Sequence, residues 1–88
     1  MDHFLLKRPQ PVQSLVMLMT IDADSVTSLR HLVMRTCGTS VVYIRIQPIT
    51  HATRMKVWLG LKAPASGLIM DAVMRHLPDA EFGQVTPG

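Results

Sequence analysis

Eighty-eight residues are enough for one domain and a single core, not two. Apolar residues make up 48% of the chain and charged residues 17%, a balance that excludes a disordered polar segment. The net charge of +3 is spread over scattered Lys and Arg with no run longer than two, which permits nucleic-acid binding without arguing for it. The single cysteine, Cys37, excludes an intramolecular disulfide and any multi-cysteine metal site. A small domain has much surface for its volume, so so high an apolar fraction implies that part of it meets another subunit. A homodimer or higher homo-oligomer is the expectation.

Residues 1–11 read as an N-terminal extension with Pro9 and Pro11 and no periodicity. Their only apolar run, Phe4-Leu5-Leu6, is too short for a signal-peptide core or a bilayer span, and points to the cytoplasm. A single domain is expected over residues 12–85, with 86–88 as a tail. From Leu15 to Ile21 the chain is apolar on both strand faces, with Leu15, Met17, Met19 and Ile21 on one and Val16, Leu18 and Thr20 on the other. Such a strand is central in a sheet, and its second face needs cover that so short a chain cannot supply from its own helices.

The segment Ile21-Asp22-Ala23-Asp24-Ser25 interrupts the strand, with Asp24 or Ser25 placed to cap a helix. Val26, Leu29, Leu32, Val33 and Thr36 then recur at helical spacing, and Gly38 is the expected left-handed stop. Residues 39–47 predict a second strand, with Val42, Ile44 and Ile46 on one side and Tyr43, Arg45 and Gln47 on the other. Residues 54–62 alternate cleanly, Met55, Val57, Leu59 and Leu61 inward and Arg54, Lys56, Trp58, Gly60 and Lys62 outward, so the two strands predict a hairpin. Pro64 or Ser66 opens a second helix with Ile69, Ala72, Val73, His76 and Leu77 on one face, ended by Pro78, and a short last strand lies around Phe82 and Val85. The order βαββαβ predicts an α+β ferredoxin-like sandwich: a four-stranded antiparallel sheet, first and third strands central, both helices on one face.

No catalytic constellation emerges, and the chain is read as a non-enzyme without a cofactor. His3, His31, His51 and His76 stand at no metal-ligand spacing, so no metal site is expected. Cys37 falls at a helix C-terminus, where the field opposes a thiolate. Asp22 and Asp24 are accounted for as turn and cap residues. On the outward hairpin face, Tyr43, Arg45, Lys56 and Trp58 interleave rings with cations. RNA-recognition domains of this topology stack bases on such a face, but their third strand carries aromatics at alternate positions where this chain has Trp58 alone. With Val16 and Leu18, residues Tyr43, Arg45 and Trp58 are instead expected at a protein contact, where Trp and Arg act as anchors.

The first strand, turn and helix resemble an ACT domain, the small regulatory module of amino-acid metabolism. The likeness runs from about Val12 to Val85 and is carried by Ile21-Asp22-Ala23-Asp24-Ser25-Val26, Leu29, Leu32 and Gly38. It implies a ferredoxin-like fold and a non-catalytic regulatory role, with an amino-acid effector held at Asp22, Ala23, Asp24, Ser25 and Val26 or docking on a metabolic enzyme. In length the chain is similar to stand-alone regulatory subunits of acetolactate synthase, which implies the catalytic subunit of a metabolic enzyme as partner. It departs from the family where Asp24 and Ser25 stand in place of a Pro-Gly pair. The alternatives are a ligand-free protein–protein adaptor of the same fold and, third, a single-stranded RNA-binding module.

Overall fold

A computed structural model describes residues 13–49, 51 and 53–88; the expected N-terminal extension, residues 1–11, lies outside them. Strand β1 (Ser14–Asp22) passes through a 3-10 turn into helix α1 (Val26–Cys37), followed by β2 (Val41–Pro48), β3 (Arg54–Lys62), α2 (Ser66–His76) and β4 (Glu81–Pro87). The four strands form an antiparallel sheet in the order β2-β3-β1-β4, so the first and third strands are central, as their hydropathy requires. Both helices pack on one face, an α+β ferredoxin-like sandwich.

Alternation decides which side chains form the core. Met17, Met19 and Ile21 of β1 and Val57, Leu59 and Leu61 of β3 are fully buried beneath Leu29 and Val33 of α1 and Ile69 and Val73 of α2. The β1–β3 ladder is continuous from Ser14 opposite Lys62 to Asp22 opposite Arg54. Backbone bonds close both ends, Ala63 N–H donating to Gln13 at 2.7 Å and Ala23 N–H to Thr53 at 2.9 Å.

The structure corrects the sequence reading at four places. Val42 is 55% exposed, not inward with Ile44 and Ile46, because a bulge between Val41 and Tyr43 adds a residue and gives Val41 the inward position. Gly38 is not left-handed: its φ is −51°, and the chain leaves α1 through a further 3-10 turn, Gly38–Ser40. Neither Asp24 nor Ser25 caps α1; no side-chain cap bond forms there, since Ser25 Oγ is turned to another partner. Residues 86–88 are not a loose tail, because Thr86 and Pro87 pair with Val16 and Leu15, and Gly88 N–H donates to Ser14 at 2.8 Å.

Leu29, fully buried where α1 meets the sheet, is the plainest test of this packing. Replacing it with alanine is expected to cost about 2–5 kcal/mol in urea unfolding with little change in m-value. A loss below about 0.5 kcal/mol, the size of an ordinary surface change, would remove α1 from the core.

Candidate functional site

Two regions collect the residues singled out in the sequence. The first is the β1–α1 turn, Asp22 to Val26. Its hydrogen-bonding groups are engaged by a residue 57 positions further on: the Asp79 carboxylate accepts from Asp22 N–H at 2.9 Å and from Ser25 Oγ at 3.2 Å. Arg54, opposite Asp22 in the ladder, donates to Asp22 Oδ1 at 2.6 Å, to the Asp79 carbonyl at 3.4 Å and to Glu81 Oε1 at 2.5 Å. The turn, the start of β3 and the entry to β4 are thereby tied together. Bonding to the Asp22 amide foremost holds the Asp79 carboxyl below its ordinary value; desolvation opposes it, and the weaker effects of the Ser25 hydroxyl and the Arg54 charge add to the lowering.

This arrangement bears on the expected effector site. A carboxylate of the chain already takes the bonds from the Asp22 amide and Ser25 hydroxyl that an incoming effector carboxylate would seek there. Ala23, Asp24 and Val26 complete the turn; Ala23 N–H is bound to Thr53, and Asp24 is exposed. Asp79, Arg54 and Glu81 were not singled out in the sequence, and no local signal marks them, because each acts on a residue distant along the chain.

The second region is the sheet face opposite the helices. All five residues expected at a contact, Val16, Leu18, Tyr43, Arg45 and Trp58, lie on it. Ladder register sets them in rows across the strands: Gln47–Lys56–Thr20–Glu81, then Arg45–Trp58–Leu18 with the β4 bulge at Gly83, then Tyr43–Gly60–Val16–Thr86. The Arg45 guanidinium carbon lies 5.2 Å and Lys56 Nζ 5.5 Å from the Trp58 ring centroid, within cation–π range. Tyr43 lies across Gly60: a Cβ there would fall 2.6 Å from Tyr43 Cδ2, so only glycine lets the ring rest on the strand. A glycine inside an otherwise clean alternation was the available sequence signal for that close approach. Both carboxylates at this end of the face, Asp22 and Glu81, share Arg54.

A shallow cleft of ≈ 320 Å³ lies on the opposite side of the molecule, lined by Ser28, His31, Leu32 and Arg35 of α1 with His76 and Leu77. None of the expected site residues borders it. Cys37 is half-buried at the end of α1, and burial pushes its thiol up, away from a reactive thiolate. Among the described residues, no three His, Cys, Asp or Glu side chains gather as a metal site, and no helix is long and apolar enough to cross a membrane.

No family model and no curated protein sequence matches the chain. Among the solved structures that share its fold are two with the following likeness. An uncharacterized protein from Thermotoga maritima superposes with a TM-score of 0.67 at 9% identity, over 88% of this chain and 98% of that one. The C-terminal domain of the MgtC protein from Mycobacterium tuberculosis superposes with a TM-score of 0.66 at 11% identity, over 92% of this chain and 93% of that one. At such identities the likeness establishes the architecture.

Because the Asp79 carboxyl is lowered by native bonds, its contribution is present above the ordinary carboxylate range and is lost as falling pH protonates it. Asp79→Ala leaves the Asp22 amide and Ser25 hydroxyl without that partner and is expected to cost about 1–2 kcal/mol at neutral pH. The gap between variant and wild type should close as the pH falls below about 4. An undiminished gap at low pH in urea melts would show that the carboxylate charge is not what ties the turn.

Proposed function

We propose that the chain is a non-catalytic docking module, a protein–protein adaptor that works through the open face of its sheet without a small-molecule effector. The observation that carries this reading is the composition of that face. An aromatic anchor flanked by two cations lies beside Val16, Leu18 and the Tyr43 ring, on a surface that no described element of the chain covers. Desolvated tryptophan, tyrosine and arginine dominate the energy of protein contacts. Arg45 and Lys56 already stand over the Trp58 ring, the place a stacked base would need, which favours a protein partner over single-stranded RNA.

The Asp79 carboxylate supports the ligand-free form of the proposal. A free amino acid reaching the β1–α1 turn would have to displace an intramolecular carboxylate held by the fold itself, whose effective concentration is high. Regulation of a metabolic enzyme is the role that the ACT resemblance implies for such a module.

A thermal-shift screen of the twenty amino acids tests the proposal directly. A ligand specific to the folded state, at about 100 times its Kd, adds about 2.7 kcal/mol, a rise of roughly ten degrees or more for so small a domain. No amino acid is expected to move the midpoint of the wild type. A selective rise with one of them would replace the adaptor by an effector-binding regulator.

A further inference from the structure

The proposed docking face leaves the nature of its partner open, and its charge pattern narrows the choice. Across the sheet the charges are unevenly placed: Arg45 and Lys56 lie on β2 and β3, whereas Glu81 lies on β4 at the same height as Lys56. The middle row sets the bulky Trp58 on β3 beside the smaller Leu18 on β1, and at its β4 end the bulge places Gly83 and Gln84 opposite Leu18, whose side chain lies against Gly83. The face is therefore lopsided in both charge and bulk, and the two asymmetries run the same way.

Two sheets stack about 10 Å apart, and two copies of one chain do so about a two-fold axis lying between them. An axis across the strands places each strand over itself. At the middle row Trp58 would meet the partner's Trp58 and Arg45 the partner's Arg45, juxtaposing like charges. An axis parallel to the strands exchanges left and right at constant height. It sets β3 over the partner's β1 and β2 over the partner's β4. Trp58 then covers the partner's Leu18, Arg45 meets the partner's β4 bulge at Gly83 and Gln84, and Lys56 comes within one strand spacing of the partner's Glu81.

Resting on the docking reading above, we propose that the open sheet face binds a second copy of this chain in that arrangement, an isologous dimer with its axis along the strands between β1 and β3. Every contact occurs twice, and the two Lys56–Glu81 pairs fix the register. Glu81, although bonded to Arg54, has a side chain 75% exposed, so its second carboxylate oxygen is free for the partner's ammonium. Four strands about 4.8 Å apart and about 30 Å long outline a face of roughly 550 Å² per copy. Stable interfaces bury about 800 Å² per partner, so the dimer is expected to be reversible, with a dissociation constant in the micromolar range.

A charge exchange followed by sedimentation equilibrium decides the matter, with circular dichroism confirming that each variant is folded. Lys56→Glu and Glu81→Lys each place like charges together and are expected to weaken the dimer at least about tenfold. The double variant recreates the pair in reverse and is expected to recover the wild-type constant to within about threefold, the signature of direct coupling. Trp58→Ala is expected to give a folded monomer. A wild type that stays monomeric up to about 1 mM overturns the proposal. So does a folded double variant no more dimeric than either single one, and so does a dimer indifferent to all three changes. None of these results moves the amino-acid screen, so a monomer with a flat screen would leave the docking reading standing with a different protein as partner.

Discussion

The antiparallel ladder between β1 and β3 is the constraint from which the rest of this structure follows. It joins the two central strands along nine residue pairs, and alternation sends Met17, Met19, Ile21, Val57, Leu59 and Leu61 to one side. Two helices of 12 and 11 residues are enough to cover that side and no more. What the ladder sends the other way, Val16, Leu18, Lys56, Trp58 and Gly60, is covered by no helix among the described residues. The openness of that second face follows from building a four-stranded sheet when the described residues form only two α-helices, both on the other side.

At one end the same ladder positions the turn into α1. Pairing of Asp22 with Arg54 brings a guanidinium to the point where the chain leaves β1, and β4, entering alongside, brings Asp79 and Glu81 within its reach. The exposed Arg54 contacts are individually weak. Their effect is geometric, because they hold three chain segments in one arrangement and leave the Asp79 carboxylate on the free amide and hydroxyl of the turn. The Asp22 amide and the Ser25 hydroxyl are satisfied within the fold.

At the middle of the open face, bulk and its absence are paired. Gly60 lets Tyr43 lie down on the strand, and the Leu18 side chain lies against Gly83 in the bulge of β4. Trp58 stands between, held by two cations whose charges no carboxylate in their own rows on β2 or β3 balances. Such a surface has both the apolar area that favours burial and the charge asymmetry that favours one orientation over another.

Sequence alone determined the architecture, because the period of its apolar residues does not depend on anything distant. The switch from alternation to helical spacing and back at Ser25 and Gly38, and the doubly apolar first strand, are enough for the βαββαβ order and for which strands are central. It also brought Val16, Leu18, Tyr43, Arg45 and Trp58 together, since a side chain's face follows from parity along a strand. Where parity failed, at Val42, a bulge with no sequence signature had inserted a residue. Tertiary structure alone decided what fills the β1–α1 turn and how charge is laid out across the sheet. Asp79 meets Asp22 across 57 residues, and Glu81 reaches the height of Lys56 only through the intervening strand β1. Such meetings depend on strand register, which pairs residues through space and leaves no local mark in the order of the chain.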